Sequence, residues 1–263
     1  MHPSLKRRSF FQSVAGAALL PQAAAQPAAP QGANRTRFYV FDYYYYRQGD
    51  QGTRLHRFLS SQLPLFTKHM RACGVFTGVM TPHTQTTLLI SGFSTLDDME
   101  KAAGAFAADA NYRKAHEEME SPGQAFDSLD RILLAATDFS PEIAPPAEKP
   151  KSPRYFELRI YHSPTERQQR ILHERFAGPE IQVFHKSGIH PILYANTVFG
   201  SDLRNLAYFM PFATLADREK AWSAFSADPD WVKARDESVA RGGQIVDTQN
   251  ISLWRATAFS PIQ

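Results

Sequence analysis

The chain repeats itself. FSTLDDMEKAAGAFAADANYRKAHEE at 93–118 returns as FATLADREKAWSAFSADPDWVKARDE at 212–237 with about half of its positions identical, and each copy closes on the tripeptide Phe-Ser-Pro, at 139–141 and 259–261. A period of this kind makes the chain two copies of one module, so any fold assigned to one half has to serve both.

The elements of each copy follow from local pattern. Tyr155 to Tyr161 alternates, with Phe156, Leu158 and Ile160 on one side and Tyr155, Glu157, Arg159 and Tyr161 on the other. Phe38 to Tyr46 is the matching strand of the first copy, rich in the aromatic residues that suit a pleated surface; alternation puts two rings of Tyr43 to Tyr46 on each face. A helix follows in each, about 53–72 and 166–186, with Gly74 and Gly188 as expected left-handed caps and Pro64 and Pro179 as expected kinks or breaks. Two strands come next, 75–81 with 86–93 and 189–197 with 206–212. The repeated segment then makes a helix, entered at Thr95/Asp98 and Thr214/Asp217 with capping-box spacing, and Asp109 and Asp228 restart it. A last strand runs over 131–136 and 250–256. Strand, helix, strand, strand, helix, strand is the ferredoxin-like order. The expected fold is therefore α+β: two tandem ferredoxin-like modules, 36–141 and 154–263, packed sheet to sheet as a pseudo-dimeric α+β barrel. A single chain then suffices as a monomer, with a homodimer left open. Residues 142–153, with four prolines in twelve positions, read as the linker between them.

The N-terminus carries an address. Lys6, Arg7 and Arg8, then Phe10 and Phe11, a short apolar run over 14–20 and the small residues Ala23 to Ala25 form a twin-arginine signal peptide, too short to span a bilayer. Export with cleavage after Ala25 is expected, followed by a disordered lead over 26–35, which places the protein in the periplasm or outside the cell. The formal charge of +3 falls to zero once those three cations leave with residues 1–25. No basic block survives, so neither nucleic acid nor an anionic membrane surface is an expected partner, and no segment reads as transmembrane. With one cysteine, Cys73, no intrachain disulfide is available.

YFELRIY at 155–161, Lys-x-Gly at 186–188, Phe-x-x-Leu-x-Asp-Arg at 212–218, Ala-Asp-Pro-x-Trp at 227–231 and the closing Phe-Ser-Pro resemble the NIPSNAP family over the whole second copy and, more weakly, the first. The resemblance implies the dimeric α+β barrel fold. That larger group includes cofactor-free oxygenases, isomerases and haem enzymes, while the NIPSNAP members have no agreed reaction. The first copy departs from the pattern, with Val40 and Asp42 where the second has Glu157 and Arg159.

Two sets of residues are candidates for chemistry. Glu157, Arg159 and Tyr161 project from one face of a strand, with Asp42, Tyr44 and Tyr46 at the matching positions; they make either an ion-pair network between the copies, Asp42 with Arg159 for instance, or a pocket with Arg159 as an anion clamp and a tyrosine as proton donor. His56 and His173 follow a leucine at matching points of the first helix of each copy and are alternatives as haem or metal ligands. No motif indicates a cofactor: HExxH, CxxC, GxGxxG, a P-loop and GxSxG are all missing from the sequence. The readings that follow are a binder of a small apolar or aromatic molecule, in the barrel or under the helices, a non-enzymatic envelope scaffold, and an oxygenase-, isomerase- or haem-linked enzyme. The first expects a cavity lined by aromatics and by polar groups among Glu157, Arg159, Tyr161 and His173; the second expects a packed centre and an apolar patch on an outer helix.

Overall fold

Eight antiparallel strands close into a barrel with helices on its outside. The computed structural model describes residues 35–200 and 203–263; the expected signal peptide lies outside them. The strands are β1 (Phe38–Tyr45), β2 (Ala72–Met80), β3 (Thr86–Phe93), β4 (Ser128–Ala136), β5 (Tyr155–His162), β6 (Leu193–Phe199), β7 (Asn205–Phe212) and β8 (Thr248–Ala256). Around the barrel they run β1-β3-β2-β8-β5-β7-β6-β4. Each half thus contributes four neighbouring strands in the same internal order, and the halves join by hydrogen bonds at both edges, β2 with β8 and β4 with β6. The sequence led us to expect two sheets stacked face to face. Edge pairing makes them one continuous sheet, which leaves no strand edge open.

The helices α1 (Gln51–His69), α2 (Leu96–Ala108) and α3 (Ala110–Glu120) cover the first half, and α4 (Glu166–Arg175), α5 (Ile181–Lys186), α6 (Leu215–Ala227) and α7 (Pro229–Gly242) the second. Their starts are those the sequence signalled. Thr95 and Thr214 accept from the backbone N–H of Asp98 and Asp217, and Asp109 and Asp228 cap α3 and α7, the latter with Pro229 at the first position. Among the expectations at glycine and proline, the cap at Gly74 and a break at Pro64 fail. α1 runs unbroken through Pro64 and ends at His69, so Gly74 lies inside β2, where a Cβ would meet Phe76 at 2.7 Å and Ile262 at 3.0 Å. Gly74 serves a close approach of side chains, whereas Gly188, at φ +84°, has the left-handed backbone that was expected. Pro179 does break its helix: α4 and α5 are joined by a π turn, Phe176–Glu180.

Alternation along the strands sorts the core into an inner and an outer layer. Inside the barrel lie Tyr39, Phe41 and Tyr43 of β1, Phe156 and Leu158 of β5, and Phe76, Phe209 and Trp254. Phe76, Phe156 and Phe209 fill the middle with ring centroids 5.0–5.1 Å apart. One end is closed by Ile143 and Ile262, each just beyond a Phe-Ser-Pro tail. Ile143 falls in the stretch read as linker, and its burial ties that stretch to the core.

The repeated tripeptide has a repeated job. The Ser140 hydroxyl accepts from the N–H of Tyr194 at 3.0 Å, and the Ser260 hydroxyl accepts from the N–H of Val75 at 3.0 Å. Thr137 and Thr257 donate their N–H groups to the carbonyls of the same two residues. Each half therefore sends its tail across to β2 or β6 of the other, and Phe139 and Phe259 pack beside His173 and His56 there.

Candidate functional site

The end of the barrel opposite Ile143 and Ile262 is open. β1, β5 and β8 each carry inward residues past the Phe76, Phe156 and Phe209 cluster, and the side chains there are too few to fill the width. A cavity of about 570 Å³ results, walled by Tyr43, Tyr45, Leu158, Ile160, Ile132 and Trp254, with Asn250, Ser252, Asp130, Arg131, His83 and Thr86 at its polar positions. Trp254 forms the floor and is held in place by donating its indole N–H to the Ser252 hydroxyl at 2.8 Å and by the ring of Tyr43, 6.0 Å away. Tyr45 stands at the mouth with His83 edge-on at 4.8 Å. Burial first, and then the nearby Asp130 carboxylate, push the Tyr45 phenol up to about 12, so it is a hydrogen-bond donor at neutral pH. Arg131 borders the cavity through its place on β4, but its side chain lies on the outward face of the sheet, where Nε and Nη2 donate to the two Asp42 carboxylate oxygens at 2.6 and 2.9 Å. The wall is thus aromatic and aliphatic, with neutral amide and hydroxyl groups and the single carboxylate of Asp130.

None of the residues singled out in the sequence lines this cavity. Glu157, Arg159 and Tyr161, and Asp42 and Tyr44, face outward, between the sheet and the helices. The expected pairing of Asp42 with Arg159 is replaced by pairs within each half: Asp42 meets Arg131, its direct cross-strand partner, and Arg159 donates to Glu157 at 2.5 Å. Glu157, fully buried, also accepts from Arg218 and from the Trp222 indole, while the Arg159 guanidinium lies 3.4 Å from the centre of the Trp222 ring and donates to the Tyr161 hydroxyl at 3.1 Å. His56 hydrogen-bonds the Thr87 hydroxyl at 2.8 Å, as Tyr46 does at 3.2 Å. His173 sits against Phe139, and burial lowers the pKa of both histidines. The two histidines hold matching places in opposite halves and do not meet. Among the described residues no group of three or more His, Cys, Asp or Glu side chains could hold a metal. Cys73 is buried, and burial pushes its thiol up to about 12. Among the described residues no helix is long and apolar enough to cross a membrane.

What sequence reasoning missed is the inward face of the same strands. Tyr43, Tyr45, Leu158, Ile160 and Trp254 each read as ordinary strand residues, and their one available signal was the split of the Tyr43 to Tyr46 run into two rings per face.

Comparison with known proteins bears on the fold and on the second half. Residues 156–261 match the sequence model of the NIPSNAP family. No curated protein matches the chain by sequence. Among solved structures, an anthrone oxidase-like protein superposes with a TM-score of 0.53 at 13% identity, covering 86% of this chain and 93% of its own. A candidate monooxygenase of Fusobacterium nucleatum gives 0.56 at 5% identity, with 85% and 93% covered. Another from Lactobacillus acidophilus gives 0.52 at 9%, with 84% and 94% covered. At such identities the likeness is one of fold: an α+β barrel similar to those of monooxygenase-like proteins.

Proposed function

We propose that the chain, whose residues 156–261 match the NIPSNAP family model, binds a small, neutral, largely aromatic molecule in the open end of its barrel. The observation that carries this reading is the cavity of about 570 Å³ between Trp254, Tyr43, Tyr45, Leu158 and Ile160, a size in the range of small-molecule sites. Its chemistry selects the ligand. Aromatic faces and aliphatic side chains favour a planar apolar body, and Asn250 and Ser252 can hydrogen-bond one polar substituent. Anions are disfavoured, because the Asp130 carboxylate repels them and the Arg131 guanidinium lies with Asp42 on the outward face of the sheet. Binding alone is proposed: the fold shared with an anthrone oxidase-like protein and candidate monooxygenases carries no reaction over to this chain. We read the barrel itself as a duplicated ferredoxin-like module, a pseudo-dimer within one chain that works as a monomer. The strand order common to both halves and the reciprocal tails support this.

The test uses Trp254 as reporter and nitrobenzene as a neutral quenching probe. A saturable component of tryptophan quenching, lost in Trp254→Phe, is the expected result. Quenching that rises linearly with probe and is the same in both proteins would remove the proposal.

A further inference from the structure

Two walls of the open end are copies of one another and no longer match. Counted back from the repeated Phe-Ser-Pro tripeptides, Leu134, Ile132 and Asp130 of β4 correspond to Trp254, Ser252 and Asn250 of β8. Strand pairing gives the same correspondence: Leu134 lies against Thr197 of β6 and Trp254 against Gly78 of β2, and each pairing breaks register at the next step. In the ring of eight strands β4 and β8 stand four places apart in either direction, so they face each other across the barrel.

A cavity on the axis between two copies of one module starts with the same groups on both walls. Here the inward positions of β4, from the rim downward, are Asp130 and Ile132, and those of β8 are Asn250 and Ser252. Asp130 and Asn250 are exposed at the rim, with Ile132 and Ser252 half-buried below them. This divergence gives the walls opposite hydrogen-bonding character. An ionised carboxylate only accepts. That of Asp130 is held by the Tyr45 hydroxyl beside its direct cross-strand partner Tyr43, and one donor leaves most of its lone pairs open. On the facing wall the Ser252 oxygen accepts from the Trp254 indole at 2.8 Å, which leaves its own O–H to donate, and the Asn250 amide adds two N–H groups. An accepting wall thus faces a donating one, with the rings of Tyr43 and Trp254 between them.

Resting on the reading that the open end binds a neutral aromatic molecule, we propose that its ligand is a phenol with an acceptor group at the opposite end of the ring, held in one orientation. The phenolic O–H donates to the Asp130 carboxylate, the ring lies against Tyr43 and Trp254, and the acceptor, a carbonyl for instance, receives from Asn250 and Ser252. No bond is made or broken. The unequal walls set the orientation, because matching walls would hold the same molecule equally well turned end for end.

The test is calorimetric titration at pH 6 with three neutral probes, 4-hydroxyacetophenone, 4-methoxyacetophenone and 4-ethylphenol, and with nitrobenzene as the reference for the open end itself. Wild-type protein is expected to bind 4-hydroxyacetophenone roughly tenfold tighter than the methoxy compound, which lacks the donor, and about fivefold tighter than 4-ethylphenol, which lacks the acceptor. Asp130→Ala should abolish the first ratio and keep the second, whereas Asn250→Ala should lower the second and keep the first. Both positions are exposed, so both variants should melt as wild type does and still bind nitrobenzene. Equal affinity for the hydroxy and methoxy compounds, in wild-type protein that binds nitrobenzene, would overturn the inference and leave the open-end site standing. Variants that each lower both ratios together would also overturn it, since the ligand would then have no fixed orientation. Absence of nitrobenzene binding would instead remove the site itself, and this inference with it.

Discussion

Replacing Ser260 by alanine should weaken the whole barrel, and by an amount the structure sets. The Ser260 hydroxyl accepts from the N–H of Val75 at 3.0 Å and donates to the carbonyl of Ile262 at 2.8 Å, in a position where Val75 is fully buried. Alanine leaves the Val75 N–H without a partner and without access to water, a loss of about 1–3 kcal/mol. Ser140→Ala does the same to the N–H of Tyr194, 1% exposed. The two sites lie in opposite halves and share no partner, so the double variant should lose about 2–6 kcal/mol, a large part of the roughly 5–15 kcal/mol by which domains are stable. Urea unfolding followed by circular dichroism should give one transition for all four proteins, with the midpoint moving down and the slope unchanged, because the halves share one closed sheet. Losses below about 0.5 kcal/mol for both single variants would refute the account of the tails. Two separate transitions in the double variant would refute the single closed barrel.

Three further outcomes follow. Burial raises the Glu180 carboxyl from 4.5 to about 7 against the pull of Arg175. The folded protein therefore holds a proton that the unfolded chain has already released between these values, and the stabilisation present below about pH 4.5 is lost as pH rises through 7; the fall is at most about 3 kcal/mol, read from urea midpoints at pH 5 and 8, and Glu180→Gln should flatten it. Asp42→Asn should cost about 1–2 kcal/mol, less than loss of a fully buried pair because the Arg131 side chain is 63% exposed, and should leave nitrobenzene binding unchanged because the pair lies on the outward face of the sheet; a urea midpoint equal to that of wild type, or lost nitrobenzene binding, would contradict this. Finally, N-terminal sequencing of the exported protein should begin at Gln26, and Arg7→Lys/Arg8→Lys should leave the full-length chain in the cytoplasm.

What was legible in the sequence was local. The caps at Thr95, Thr214, Asp109 and Asp228 and the left-handed Gly188 depend on a few adjacent residues, and all stand where the pattern put them. Gly74 failed because its reason is packing within the barrel and not a helix end: the Phe76 ring and Ile262, which arrives from the far end of the chain, leave no room for a Cβ there. Asp42 was given the wrong partner for a similar reason. Alternation places Asp42 on a face, but only the register of β1 against β4 puts Arg131 directly across from it, and register is set by contacts between strands about ninety residues apart. The cavity was illegible for a third reason. Its wall takes inward residues from β1, β4, β5 and β8, none of which carries a motif, and alternation does not say which of a strand's two faces points into a barrel. The polar residues that attracted attention in the sequence were on the outward faces.

The central claim is that the open end of the barrel is a site for a neutral aromatic molecule. Titration calorimetry of nitrobenzene and 4-nitrobenzoate against the wild-type protein and Ile160→Trp tests it most directly. The account predicts saturable binding of nitrobenzene with a negative heat-capacity change, weak or no binding of the carboxylate, and loss of nitrobenzene binding when tryptophan fills the mouth. Equal binding of both compounds, or undiminished nitrobenzene binding by a folded Ile160→Trp, would contradict it.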